Sequence, residues 1–234
     1  MIRLLSHPLS PSTPTYPGTP GATFTPASRI ADGDVSNWLV FTTQNHAATH
    51  VDGPWHFNPH GRRITEIDPT EFLFTSPVVI DIPKGDDEVI TGDDFAAHAA
   101  EIAGSDMLLV RTGYGPRWRS TDPERFRSHG PGFHSSAGEY LIREQPSVRA
   151  VAMDFISAAA QVAEAEGIEF HRTVLGRSPG DRYIFLVEDA RIDSDLGPAD
   201  LGFVVMAPLL LEGQDGGQVT MLAVPPSFAL GGGR

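Results

Sequence analysis

Seven short apolar segments, rich in β-branched residues and bounded by turn-forming residues, recur along the length of this chain. Apolar runs of this kind, without polar alternation, predict strands that are buried on both faces of a sheet. The segments cover residues 37–43, 76–82, 106–112, 148–155, 182–189, 202–211 and 218–224. None approaches the roughly 18–20 apolar residues of a membrane span.

Three helical patterns separate some of these segments, and they cover residues 91–103, 135–145 and 156–167. The first begins with Thr91 and Asp94 in the spacing of a capping box. The third is rich in alanine and ends at Gly167, a residue typical of helix C-caps. Strands that alternate with helices predict an α/β fold with a mixed sheet.

A length of 234 residues predicts a single domain over residues 1–234. Residues 1–35 form a Pro/Ser/Thr-rich arm that we expect to wrap onto the core, because it carries apolar residues such as Leu5 and Phe24. The glycine-rich end, residues 230–234, is typical of a frayed terminus. The absence of cysteine excludes disulfides, thiolate metal sites and cysteine nucleophiles.

The formal net charge of −13 and the scattered basic residues bear on possible partners. Phosphate binding needs a concentrated positive surface, so nucleic acid and anionic membranes are not expected partners. Prolines begin at Pro8, where a signal peptide would continue its apolar region. We therefore expect a cytoplasmic protein.

Residues 45–57, NHAATHVDGPWHF, bring together His46, His50, Asp52 and His56, although the chain has only nine histidines. Even-numbered positions share one face of an extended chain, so His50 and Asp52 become neighbours on a short strand. His46 joins them from the same strand or from a turn. A helix would pair His46 with His50, but Asp52 would then point away and the following proline would end the helix. The extended conformation brings more ligands together.

Two imidazoles and one carboxylate form a facial ligand set for Zn²⁺, Mn²⁺ or Fe²⁺, with positions left open for water and substrate. His56 lies beyond the Gly53-Pro54 turn, where it can face a metal without binding it. Because an imidazole exchanges protons near neutral pH, His56 is the candidate general acid or base. The alternative is a chance cluster in a polar loop, which the joint pattern HxxxHxDxPxH makes much less plausible.

The segment HAATHVDGPWHF resembles the HxGTHxDxPxH signature of the metal-dependent cyclase-type hydrolases, which include bacterial kynurenine formamidase and isatin hydrolase. Further segments resemble that family in the same order: YPGTP (16–20), LLVRTGY (108–114), VAMDFIS (151–157), FHRTVLG (170–176), IFLVED (184–189) and APLLLEGQDGGQVTMLAV (207–224). The likeness covers nearly the whole chain. Ala48 departs from the family's glycine, and residues 177–181, RSPGD, are an insertion.

This resemblance implies a swivelling β/β/α fold that assembles as a homodimer or homotetramer. It implies His46, His50 and Asp52 as ligands of one metal ion. His56 would be the catalytic acid and base.

The resemblance also implies that Asp52 bridges to a second metal ion held by His171 and Glu188. The longer interval between His171 and Glu188 leaves one ion or two as open alternatives. Tyr16 takes the place of an aromatic residue that packs on the substrate ring.

The residues and the resemblance together predict hydrolysis of an amide or lactam C–N bond in a small aromatic substrate. Zn²⁺ or Mn²⁺ would activate the attacking water, and His56 would carry the proton to the leaving nitrogen. Two alternatives stay open. One is a metal-binding or regulatory protein that keeps the fold without catalysis, and the other is a cyclase or dehydratase.

Overall fold

The computed structural model describes residues 1–228, and the tail whose fraying the sequence predicts lies outside them. The strands are β1 (Arg3–Leu4), β2 (Thr23–Ser28), β3 (Trp38–Thr42), β4 (His50–Asp52), β5 (Leu73–Phe74), β6 (Pro77–Asp81), β7 (Val89–Ile90), β8 (Met107–Arg111), β9 (Gly132–Phe133), β10 (Ala150–Met153), β11 (Phe185–Glu188), β12 (Phe203–Pro208) and β13 (Gly216–Val224). The α-helices are α1 (Gly92–Ala97), α2 (Ala99–Ile102), α3 (Tyr114–Trp118), α4 (Pro123–Ser128), α5 (Ser135–Glu144) and α6 (Glu164–Val174).

A nine-stranded mixed sheet is the centre of the fold, in the order β5-β12-β13-β4-β11-β10-β8-β6, with β1 added along β13. Strands β6, β8, β10 and β11 run parallel to their neighbours in that series. Strand β4 is antiparallel to both β11 and β13. It therefore joins a parallel half of the sheet to an antiparallel half, and the predicted α/β fold with a mixed sheet is confirmed.

Hydrophobic side chains cover both faces of this sheet. Along β8, Met107 and Leu109 belong to one core cluster, whereas Leu108 and Val110 belong to the other. This follows from the period of two residues in a strand, which sends successive side chains to opposite faces. The second cluster includes residues of α1, α5 and α6. Double burial of the central strands therefore agrees with their unbroken apolar sequences.

The β2–β3 hairpin differs from the prediction. Every residue of β3 is exposed, and the exposed fraction of the residue is 57% for Trp38 and 54% for Val40. Strand β3 pairs only with β2, and the two form a separate two-stranded sheet. The prediction that residues 37–43 are buried is wrong, because within residues 1–228 no second layer covers this hairpin.

The helix predicted over residues 156–167 also differs. The α-helix begins at Glu164 and ends at Val174, so Gly167 lies inside it rather than at its C-cap. A Cβ atom on Gly167 would lie 2.3 Å from the Cα atom of Ala159. This glycine is therefore required for close packing. The capping box of Thr91 and Asp94 is confirmed at the start of α1.

The N-terminal segment reaches the sheet at its first strand. Strand β1 pairs with β13, and the side chain of Leu5 is only 2% exposed. The Ser6 hydroxyl donates to the carbonyl of Val219, which ties the segment to the edge of β13. As for membranes, none of the helices within residues 1–228 has the length and apolar character needed to cross one.

Candidate metal centre and active site

The register of the central strands brings residues from distant parts of the chain to one place. Strand β4 carries His50 and Asp52. Glu188, the last residue of β11, lies opposite His50, and Gly216, the first residue of β13, lies opposite Asp52. Asp215 immediately precedes Gly216 and therefore lies at the same end of β4. The antiparallel position of β4 therefore brings Glu188 and Asp215 to the strand that carries His50 and Asp52.

Two further imidazoles approach Asp52 from opposite sides. His46 comes from the loop before β4, and its Nδ1 lies 2.8 Å from Asp52 Oδ1. His171 comes from α6, and its Nε2 lies 3.6 Å from Asp52 Oδ2 and 3.4 Å from Glu188 Oε1. His50 Nε2 lies 3.4 Å from Glu188 Oε2. Asp52 is thus the central carboxylate of the cluster.

Three sets of residues in the cluster could hold a metal ion. One set is His46, His56 and Asp215, and the other two, which we call the donor groups, share Asp52. The first donor group is His46, His50 and Asp52, and the second is Asp52, His171 and Glu188. In each group, one ligand atom from every residue lies within 4.8 Å of the others. Two nitrogens with one oxygen, or one nitrogen with two oxygens, suit divalent ions such as Zn²⁺ and Mn²⁺. The structure brings together the same residues that the resemblance implies for two metal ions.

The hydrogen bonds of the three donor imidazoles fit metal binding. His50 Nδ1 donates to the carbonyl two residues earlier at 2.9 Å, and His171 Nδ1 donates to the carbonyl one turn earlier in α6 at 2.7 Å. His46 Nε2 lies 3.2 Å from Asp215 Oδ2. Each imidazole therefore commits one nitrogen to an acceptor and turns the other toward Asp52. Metal-binding histidines are commonly oriented in this way, so the residues present fit a divalent ion.

Burial strengthens the electrostatic interactions between the imidazoles and the carboxylates of the cluster. His50, Asp52, His171 and Glu188 are each at most 5% exposed. Burial alone would lower the pKa of His46, but the charge of Asp52 and the hydrogen bonds to Asp215 and Asp52 raise it to about 10. Hydrogen bonds to Asp52 and Glu188 likewise overcome burial and raise the pKa of His171 to about 10. In the metal-free site, protons therefore offset the carboxylates, and a bound cation would replace those protons.

His56 occupies a different position from the donor imidazoles. It ends the 3₁₀ turn Pro54–His56, and its Nδ1 lies 2.6 Å from Asp215 Oδ2. Its ring stacks on that of His46 with a centroid separation of 4.2 Å, and the ring of His171 is 6.2 Å away. His56 thus borders both donor groups while a carboxylate outside them fixes its orientation.

Asp215 is the residue of this site that the sequence analysis missed. One of its oxygens contacts both His46 and His56. Burial would raise its pKa, but hydrogen bonds from those two imidazoles hold the pKa of Asp215 well below its usual value. In sequence, Asp215-Gly216-Gly217 resembles an ordinary turn. The structure, unlike the sequence, shows that this segment packs closely against the site. A Cβ on Gly216, the residue after Asp215, would lie 2.8 Å from His46 Cε1.

A cavity of about 370 Å³ opens onto the donor groups. Its lining includes every site residue predicted from the sequence, namely Tyr16, His46, His50, Asp52, His56, His171 and Glu188. Phe57 stacks on His171 with a centroid separation of 4.6 Å and also lines the cavity. The walls therefore combine aromatic and aliphatic side chains with the polar groups of the site, as in other small-molecule sites.

The insertion at residues 177–181 and the second carboxylate next to Glu188, that of Asp189, both lie outside the donor groups. The inserted residues 177–181 form a closed loop, because the Asp181 carboxylate accepts hydrogen bonds from the backbone N–H groups of Arg177 and Ser178. The carboxylate of Asp189, next to Glu188, binds Arg119 through two hydrogen bonds of 2.6 and 2.7 Å. The insertion therefore leaves His171 in place, and Glu188 rather than Asp189 faces the cavity.

Solved structures of other proteins share this fold. Isatin hydrolase A from Ralstonia solanacearum superposes with a TM-score of 0.77, and the match covers 95% of this chain and 91% of that one at 24% identity. A structure described as a potential metal-dependent hydrolase with cyclase activity gives a TM-score of 0.68, covering 95% and 96% of the two chains at 21% identity. At these identities the likeness establishes the fold, a single α/β domain with a large mixed sheet.

Sequence comparison identifies the family. Kynurenine formamidase from Geobacillus thermodenitrificans is 31% identical over 145 residues, which span 59% of this chain and 64% of that enzyme, slightly less than two thirds of its length. Residues 4–160, more than half of the chain, match the Cyclase family model. That range includes His46, His50, Asp52 and His56. The chain therefore belongs to the Cyclase family.

Proposed function

We propose that this protein is a metal-dependent hydrolase that cleaves the C–N bond of an amide or lactam in a small aromatic substrate. Its relatives include a kynurenine formamidase by sequence and an isatin hydrolase by fold. Both names refer to hydrolysis at a carbonyl bonded to an aryl nitrogen. The proposed reaction class is therefore the one common to these relatives.

The observation that carries this proposal is the position of His56. A site that only binds metal needs ligands, whereas His56 borders both donor groups and is oriented by Asp215 at 2.6 Å. With Nδ1 donating to Asp215, Nε2 is the nitrogen available to accept or donate a proton in the cavity. An imidazole held in one tautomer beside an open cavity is suited to general acid–base catalysis.

The donor groups would hold one or two divalent ions, with Zn²⁺ and Mn²⁺ as the proposed metals. Such an ion lowers the pKa of water to about 7 and polarises a carbonyl oxygen. His56 Nε2 would then take a proton from the nucleophile and return it to the leaving nitrogen. Asp215 would stabilise the protonated imidazole between these two transfers. Tyr16 and Phe57 would pack against the aromatic ring and orient its carbonyl.

Elemental analysis and a substrate screen test this function directly. Protein purified in buffers supplemented with Zn²⁺ or Mn²⁺ should contain one to two ions per chain. It should hydrolyse N-formylkynurenine, isatin or a simple anilide, and chelation should abolish this activity until the metal is restored. Bound metal without turnover of any of these compounds would point instead to a metal-binding or regulatory protein.

We also propose that the protein assembles as a homodimer or homotetramer. The exposed apolar residues Trp38, Leu39, Val40 and Phe41 of β3 support this assembly, since monomers rarely expose contiguous apolar surface. Multi-angle light scattering on the full chain measures the assembly. Replacing Trp38 and Val40 together by serine should lower the molecular mass, and an unchanged mass would place the interface elsewhere.

A further inference from the structure

One face of helix α6 lines the cavity along its depth. Glu164, Ile168 and His171 all contribute to the lining, and their spacing of four and three residues places them on the same side of an α-helix. His171 is 3% exposed at the donor groups, whereas Glu164 is exposed. Seven residues advance a helix by about 10 Å. The carboxylate of Glu164 therefore lies at the mouth, well separated from the proposed metal ligands.

Glu164 supplies a negative charge at the mouth of the cavity, away from the imidazoles of the donor groups. Among the lining residues within the described part of the chain, the acidic ones are Asp52, Glu164 and Glu188, and none is lysine or arginine. Asp52 and Glu188 belong to the donor groups, where a divalent ion would offset their charge. Glu164 belongs to neither group, so its negative charge remains facing the outer part of the cavity.

The pKa of Tyr16 also responds to the charge of Glu164. Burial raises the pKa of the Tyr16 phenol, and the negative charges of Glu164 and Glu188 raise it further. The phenol therefore stays neutral and lines the same cavity as Glu164. The outer cavity consequently combines an aromatic ring with a carboxylate, which suits a cation attached to an aromatic group.

We propose that Glu164 makes the site selective for aryl amides or lactams that carry a cationic group, such as a primary ammonium, on the far side of the ring. Matching compounds with a carboxylate at that position would be disfavoured. This inference rests on the proposed function and narrows its substrate class. The scissile carbonyl would lie at the donor groups, and the cation would reach the mouth of the cavity.

Three para-substituted formanilides separate charge from shape. They carry aminomethyl, ethyl or carboxymethyl substituents, and the methylene group keeps the electronic effect on the formamide small. For the wild-type protein, kcat/KM for the aminomethyl compound should exceed that for the carboxymethyl compound by roughly tenfold, as for charge pairs at a partly exposed site. Glu164→Gln should reduce this ratio several-fold, and Glu164→Lys should bring it below one.

Glu144→Gln is the matched control, because it removes the same charge from an exposed position on α5 outside the cavity. It should keep the wild-type ratio. A wild-type ratio near one, or a ratio that Glu164→Lys leaves unchanged, would overturn the inference.

Binding to the metal-free protein makes the inference independent of turnover. Dissociation constants of the same three compounds, measured by calorimetry, should follow the same order and respond to the same substitutions. If no compound is hydrolysed but this order is kept, the proposed reaction is wrong and the charge selectivity stands. If the three compounds bind equally well, the charge selectivity is wrong whether or not they are hydrolysed.

Discussion

The carboxylate of Asp215 accepts a hydrogen bond of 2.6 Å from Nδ1 of His56. The two residues are 159 positions apart in sequence, and the pairing of β4 with β13 brings them together. The same oxygen lies 3.2 Å from His46 Nε2. One carboxylate thus orients a proposed metal ligand and the proposed acid–base group, which makes Asp215 the first residue to test.

Asp215→Asn should lower kcat by roughly 10–100-fold, the usual cost of altering a group that orients a metal-site histidine. The amide keeps the size of the side chain but loses the charge that stabilises a protonated His56. If Asp215 acts through His56, the double variant with His56→Ala should be no slower than His56→Ala alone. Asp93→Asn, at an exposed position of α1, should retain wild-type activity.

His56→Ala should keep the wild-type metal content but lose turnover by at least 100-fold, because a positioned acid–base group contributes about 10²–10⁴ to the rate. His50→Ala should lose both metal and turnover, since it removes a nitrogen from a donor group. Metal per chain, measured by elemental analysis, separates the two results. A His56→Ala protein with wild-type kcat would rule out the proposed role of His56.

Metal affinity should rise with pH. In the metal-free protein, the pKa values of His46 and His171 are raised to about 10, so both imidazoles carry protons at neutral pH. A metal ion must displace these protons, so binding becomes stronger as the pH increases toward 10. Competition with a chelator at pH 6.5, 7.5 and 8.5 measures the slope, after correction for the chelator's own protonation. An affinity independent of pH would contradict this assignment of protons.

Ala48 should be a strained residue. Its φ angle is +58°, a left-handed conformation that costs a residue with a Cβ about 1–2 kcal/mol. Glycine removes this cost but loses more chain entropy, so Ala48→Gly should raise the free energy of unfolding by up to about 1 kcal/mol. Ala47→Gly is the control, since Ala47 is buried and does not have a positive φ, and it should destabilise the fold. Urea unfolding of both variants would refute the strain if they lose stability equally.

Gly167→Ala should destabilise the protein, although the same change in an ordinary helix is favourable by about 1 kcal/mol. The new Cβ would lie 2.3 Å from Ala159 Cα and 2.7 Å from Ala159 Cβ, so α6 must move away from the preceding segment. Overpacking of this kind costs about 1–3 kcal/mol. Because α6 carries His171, metal affinity should fall with stability. Unfolding and metal titrations measure the two effects, and a stabilised variant would contradict this packing.

Local patterns predicted the part of the site that depends on local geometry. His50 and Asp52 are indeed neighbours on a short strand, and His46 comes from the loop before it. The alternation of a strand requires only the adjacent residues. His171 and Glu188 were found through the resemblance alone, since no spacing rule relates a helix face to the end of a strand 17 positions away.

The incorrect predictions share a physical cause, which is that tertiary contacts outweigh local preference. The apolar sequence of residues 37–43 does form a strand, but sequence hydrophobicity does not specify which surface covers it. Glycine is typical of helix C-caps, yet Gly167 lies inside α6, where the absence of a side chain permits close contact with Ala159. Asp215 went unnoticed because its partners, His46 and His56, become neighbours only after β13 pairs with β4.

The antiparallel pairing of β4 on both sides has a consequence for how the protein folds. A shift of one residue in either register would turn His50 and Asp52 to the opposite face of the sheet. The second donor group therefore exists only after β4, β11 and α6 have reached their native positions, so the unfolded chain offers no comparable pair of donor groups. Metal binding and completion of the central sheet should be thermodynamically linked, so the ion would stabilise the folded state relative to the unfolded chain.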